Sequence, residues 1–273
     1  MASLPSQNSG NNQADNSQSP PESETALHPR HFTLDAKVAI ITGASRGIGR
    51  STAELFARQG AQVVVCSRNE VELGATVTAI ESDGGIAVGR KTDIGSPREA
   101  HALTELALHH FGKVDILINN AGILGPRVPL IEYPMADWDD VLRTNLSGAY
   151  HMIRTVLPSM MQQHDGCIIN MTSTVGRQGR AGWGAYSVSK FGLEGLTQIF
   201  AEEMRPFGVR IFAFNPGATR TGMRAQAYPE EDPARLRTSV EAAQALLRLV
   251  LYASHEQSGV SYDLSSVPQD ANR

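Results

Sequence analysis

At 273 residues, with 41% hydrophobic and 19% charged side chains, the chain is long enough to bury a full core and has the balance of a globular protein. A net charge of −4 offers no global basic surface to nucleic acid or to an anionic membrane, and no apolar run approaches the roughly 20 residues that cross a bilayer. The two cysteines, Cys66 and Cys167, lie in apolar runs without CxxC or Cys/His ligand spacing, which predicts two small buried hydrophobes in an intracellular, cytoplasmic protein with no metal centre.

Residues 1–33 are rich in Asn, Gln, Ser and Pro, and too poor in large apolar groups to offset the entropy of ordering. They lack the apolar centre of a secretory signal, and Asp15, Glu22 and Glu24 argue against a mitochondrial presequence. A disordered polar extension is expected there, with one catalytic domain over residues 34–273. Within that domain, short β-branched runs at 38–42, 62–66, 86–90, 114–119, 167–171 and 209–214 predict strands. Between them, 47–59, 70–83, 97–111, 136–163 and 185–207 carry helical spacing; a last helix over 240–253 precedes a short strand near 260–264. Strands that are apolar almost throughout are covered on both faces, so the pattern predicts a doubly wound parallel β-sheet of Rossmann type, α/β, with helices on both sides.

The first strand runs directly into Gly43-Ala44-Ser45-Arg46-Gly47-Ile48-Gly49. Glycines there permit a sharp turn and close approach of a pyrophosphate, which the helix N-terminus behind them attracts. The loop also matches the G-x-S-x-G elbow of serine hydrolases, with Ser45 as nucleophile and Asp232 and His255 in the required chain order. Neither partner follows a strand, and the loop comes early rather than late in the sheet. After the second strand, where an acid would bind the 2′-hydroxyl of NAD, stand Ser67 and Arg68. Together with Arg46, Arg68 offers two guanidiniums to a 2′-phosphate, so NADP(H) is the expected cofactor. Farther on, Tyr186 and Lys190 are four apart on one helix face, and Ser173 stands just past the strand at 167–171, the end of a strand where open α/β sheets bind ligands.

With Asn119-Asn120-Ala121-Gly122, Asn145 and Asn215-Pro216-Gly217-Ala218-Thr219-Arg220-Thr221 added in order, residues 34–265 resemble the short-chain dehydrogenase/reductase family. The resemblance implies hydride transfer between NADP(H) and a carbonyl or secondary alcohol. Tyr186 would be general acid or base, its pKa lowered by Lys190; Lys190 would also bind the nicotinamide ribose. Ser173 would donate to the substrate oxygen, and Asn145 would hold a water that relays protons to Lys190. Asp93 would meet the adenine, and Asn119 and Gly122 would line the cofactor channel. Thr219 and Thr221 would secure the nicotinamide amide and pyrophosphate, with Ile94, Ala121, Pro216 and Gly217 completing the cofactor set.

Substrate walls are expected at 124–133, 174–183 and 218–228, where Trp183, Tyr228, Arg177 and Arg180 are candidates for contact. The turn 162–166 lacks the basic residues that flank it in reductases of carrier-protein substrates, which argues against such a substrate. A short segment at 222–238 stands where relatives carry a larger lid. By analogy the helices at 136–163 and 185–207 would pair in a homodimer or homotetramer. A non-catalytic dinucleotide sensor is the competing reading, because fold alone does not give chemistry; the Ser/Tyr/Lys/Asn set counts against it.

Overall fold

Every residue of the first strand, Val38–Thr42, is buried, as a strand covered on both faces requires. The computed structural model describes residues 34–269; the extension expected over residues 1–33 lies outside them. Strands β1 (Val38–Thr42), β2 (Gln62–Ser67), β3 (Ile86–Lys91), β4 (Ile116–Asn119), β5 (Gly166–Met171), β6 (Val209–Asn215) and β7 (Ser261–Asp263) form one parallel sheet in the order β3-β2-β1-β4-β5-β6-β7.

Side-chain alternation along the strands feeds two cores. Ala39 and Ile41 of β1, with Val63 and Val65 of β2, face one core. That core is completed by Phe56 of α1 (Gly47–Arg58), Leu73 and Ile80 of α2 (Glu70–Ser82), and Leu246 and Leu249 of α8 (Ser239–Tyr252). Ile40 and Val64 face the other. There they meet Leu103 of α3 (Pro97–Phe111), Met152, Val156 and Met160 of α5 (Gly148–Gln163), and Met204 of α6 (Gly184–Met204). This is the doubly wound α/β fold that the strand pattern predicts.

Caps fix several helix starts. Asn69 accepts from the Glu72 N–H at α2, Ser96 accepts from Glu99 ahead of Pro97 at α3, and Thr238 with Glu241 closes a capping box on α8. By contrast, α1 opens without a side-chain cap, leaving its first N–H groups for a ligand.

One expected element is divided. The stretch 136–163 is α4 (Met135–Leu142), a π-helical turn at Arg143–Ser147, and then α5. Periodicity cannot register this, because a π-turn adds a residue without ending the helix. The turn places Arg143 and Asn145 toward the ligand end of the sheet. A short helix, α7 (Gly222–Ala227), occupies the segment after β6.

Candidate active site

The strand order reverses between β1 and β4, so the loops leaving those strands diverge and open a cleft of about 380 Å³. One hydroxyl organises the split: Thr42 Oγ1 donates to the Ile118 carbonyl (3.3 Å) and accepts from the N–H groups of Asn120 and Ala121 (both 3.0 Å). Asn120 Nδ2 in turn donates to the carbonyls of Thr42 (2.8 Å) and Gly43 (3.0 Å). The glycines are sterically required. Gly43 has φ +66°, and a Cβ there would lie 2.8 Å from Ala121 Cα; one on Gly49 would overlap the Gly43 carbonyl.

At one end of the cleft, Ser45, Arg46, Gly47, Ile48, Ser67, Arg68, Asp93 and Ile94 line the wall. The side chains of Arg46 and Arg68 are exposed and form no hydrogen bond or ion pair among the described residues. Arg68 nevertheless lies close enough to Asp93 to favour its ionised form. Burial works against the Asp93 carboxylate, but bonds from Arg143 Nη1 (2.6 Å) and the Gly95 N–H (3.0 Å) outweigh it and hold the pKa below the usual range. Nearby Thr144 is buried and lines the cleft, and its Oγ1 has no hydrogen-bond partner. A glycine cradle, an uncapped helix start, two unpaired guanidiniums and an unsatisfied hydroxyl are what a phosphorylated dinucleotide would fill.

At the other end stand Tyr186 and Lys190, one turn apart on α6 and both buried, with Lys190 Nζ 5.6 Å from the Tyr186 ring centroid. Lys190 Nζ donates to the Met171 carbonyl at 2.6 Å. Burial pulls its pKa down to about 8, against the opposing charge of Glu194. Burial pushes the Tyr186 phenol up to about 12, with a hydrogen bond from Ser173 pulling the other way. Desolvation is the largest influence on the phenol. Asn145, 1% exposed, is fully engaged: Oδ1 accepts from the Ile123 N–H (2.8 Å), and Nδ2 donates to the Ile123 carbonyl (2.9 Å) and Ser189 Oγ (3.1 Å). Its side chain braces the loop after β4.

The three expected substrate walls converge through a residue that sequence reasoning did not single out. Arg127 donates from Nε to the Gly182 carbonyl (3.3 Å) and from Nη1 to the Ala227 carbonyl (2.8 Å). Its guanidinium lies 4.3 Å from the Trp183 ring centroid and 5.3 Å from that of Tyr228. Trp183 is itself 5.7 Å from the Tyr186 ring. Arg224 also stacks on Tyr228, 3.9 Å from its ring centroid, and forms two 2.6 Å bonds to Glu231. Arg177 is committed to Asp263 and stands 3.8 Å from Glu194, so it is not free for a substrate, whereas Arg180 is exposed.

Gly43, Ala121, Gly122, Pro216 and Thr221 also line the cleft, with Thr221 capping α7. Asn119, Gly49, Gly217 and Thr219 lie behind it. Asn119 spends its Nδ2 on Asn170 Oδ1 (2.9 Å), tying β4 to β5, and Thr219 pairs with Arg237 in an isolated bridge. Asn120, Asn69, Glu72 and Thr144 line the cleft without having been assigned roles from the sequence; adjacency of Asn120 to Asn119 in one motif was the available signal. No hydrogen bond joins Ser45 to Asp232 or His255 among the described residues; Asp232 instead caps a 3-10 turn. Burial pushes the thiols of Cys66 and Cys167 up to about 12 and about 11, and no metal-holding group of His, Cys, Asp and Glu occurs among the described residues. Nor is any helix there long and apolar enough to cross a membrane.

The family model described as short chain dehydrogenase matches residues 37–232. The chain is 34% identical to the oxidoreductase YciK of Escherichia coli K12 over 86% of its length and 94% of that protein. It is 36% identical to the 3-oxoacyl-acyl-carrier-protein reductase FabG of Vibrio cholerae over 75% and 82% of the two chains. Among solved structures, a short chain dehydrogenase of Shigella flexneri 2a complexed with NADP superposes with a TM-score of 0.82 at 33% identity, covering 86% of this chain and all (100%) of that one.

Proposed function

This chain belongs to the short-chain dehydrogenase family, and from that premise we propose that it transfers hydride between NADP(H) and a carbonyl or secondary-alcohol substrate. The observation that carries the reading is the Tyr186–Lys190 pair in one cleft with the glycine loop, with Ser173 near enough to the phenol to favour its ionised form. When bound, the reduced nicotinamide supplies the hydride. Tyr186 gives its proton to the substrate oxygen, and Ser173 donates a hydrogen bond to that oxygen as charge develops. Lys190 binds the cofactor ribose and favours the phenolate once the proton has left.

Arg46 and Arg68 clamp the 2′-phosphate, a choice supported by their lack of internal partners and by the NADP complex of the Shigella relative. Asp93 would meet the adenine, and Thr144, whose buried hydroxyl has no partner among the described residues, would donate to the cofactor from the cleft wall. The FabG relative acts on a carrier-protein substrate; here the turn before β5 carries Asp165, bonded to Lys37 (3.0 Å), where a basic docking surface would be needed. A small-molecule substrate is therefore favoured. Exposed Val188, Phe191 and Ile199 on α6 support pairing into a homodimer or homotetramer, which sedimentation would size.

Fluorescence titration with NADPH, followed by an absorbance screen of ketones and alcohols at the nicotinamide band, tests the assignment. Binding without turnover on any substrate would favour a dinucleotide sensor. Labelling of Ser45 by a serine-directed probe without NADPH binding would favour a hydrolase.

A further inference from the structure

A carboxylate-bearing residue stands behind the catalytic pair. Glu194 is one turn beyond Lys190 on α6, so Tyr186, Lys190 and Glu194 fall on one face of the helix at intervals of four. It is 7% exposed, a rare state for a glutamate without a partner. Its Oε1 accepts from Thr172 Oγ1 at 2.8 Å and from Ser261 Oγ of β7 at 2.9 Å. Thr172 lines the cleft and immediately precedes Ser173.

We infer that Glu194 is a positioning residue for the site: its carboxylate is the counter-charge of the buried Lys190 ammonium, and through Thr172 it fixes the strand end that carries Ser173. The physical need is plain, because Lys190 has exchanged water for a carbonyl bond to Met171 and a buried ammonium otherwise loses its proton. The other charges facing the pair are few. The titratable Tyr186 phenol lies on the same helix; Arg177, from the loop after β5, approaches Glu194 at 3.8 Å and is itself neutralised by Asp263 of β7. From the end of β5, Lys190 meets the neutral Met171 carbonyl, and the neutral Asn145 amide lies on the same side of Gly122 as the Lys190 ammonium. Glu194 is thus the carboxylate placed to act on Lys190, and the favourable charge interaction between them is the one that opposes desolvation of the lysine.

The catalytic meaning of this rests on the proposed reductase reading, but the charge relationship does not. The test is an NMR titration of the lysine Nζ groups in the full chain, where the Lys190 signal is identified by its loss in Lys190→Met. Glu194→Gln keeps an oxygen acceptor for Thr172 and Ser261 and removes only the charge. Its Lys190 midpoint should fall below the wild-type value by about one pH unit or more, and Glu194→Asp should recover part of the shift. An unchanged midpoint in a folded Glu194→Gln protein would overturn the inference, and so would a midpoint that Glu194→Asp leaves as low as Gln does. A parallel NADPH titration across the same pH range reports on the reductase reading alone: wild-type protein that fails to bind NADPH would sink that reading and leave the lysine result standing.

Discussion

The Asn120 side chain donates to the carbonyl of Gly43 at 3.0 Å, so the loop that would hold pyrophosphate is fastened to the loop that ends β4. The same Nδ2 group reaches the Thr42 carbonyl at 2.8 Å, and both bonds span more than seventy residues of sequence. Asn120→Ala leaves two carbonyls without that donor. It should lower stability by roughly 1–2 kcal/mol and weaken NADPH binding about tenfold. A thermal melt and an NADPH titration check this; a variant equal to wild type in both would remove the latch from the account.

Cofactor choice follows from the two unpaired guanidiniums. Arg68→Asp replaces a phosphate partner with a repelling charge, and should weaken NADPH by about 10- to 100-fold while leaving NADH within a few-fold. Competition titrations with both dinucleotides measure the ratio. Equal losses for the two would place the 2′-phosphate elsewhere.

How much of this was legible in the sequence depended on range. The glycine loop, Ser173 and the Tyr186–Lys190 spacing are local signals, each tied to one strand end or one helix face, and the structure gathers Gly43, Arg46, Arg68, Ser173, Tyr186 and Lys190 around or beside one cleft. What could not be read were contacts between segments far apart in the chain: Arg143 on Asp93, Arg127 on Gly182 and Ala227, and Thr172 on Glu194. Asn145 was located as a residue but not as part of a π-turn, because an inserted residue leaves helical periodicity nearly intact. Asn119 and Asn120 show the limit most clearly. They are adjacent and identical, yet pleating sends one side chain into the sheet and the other to the glycine loop.

The substrate wall should behave as one body. Arg127→Met keeps a long apolar stem but loses both carbonyl bonds and the stacking on Trp183 and Tyr228. Limited proteolysis within residues 222–238 should become faster by several-fold, on the order of 1 kcal/mol of local stability, with the global melt little changed. An unaltered cleavage rate would show that Arg127 does not restrain this segment.

Lys190 makes a signed prediction for stability against pH. Its folded-state pKa of about 8 lies below the ordinary 10.5, so burial of the ammonium costs about 3 kcal/mol at neutral pH. Between those two values the unfolded chain holds the proton that the folded chain releases, so this contribution to stability rises with pH. Relative to Lys190→Met, wild-type protein should gain about 2 kcal/mol between about pH 7 and about pH 9.5. Denaturant melts at the two pH values measure the change; a difference that stays constant or falls would contradict the burial cost.

The central claim is that the Tyr186 phenol is the proton donor at the hydride site, and Tyr186→Phe removes that proton while leaving the ring packed against Trp183. On any carbonyl substrate that the screen identifies, kcat should fall by about 10²- to 10⁴-fold with NADPH affinity within a few-fold of wild type. Full turnover by Tyr186→Phe would contradict the account.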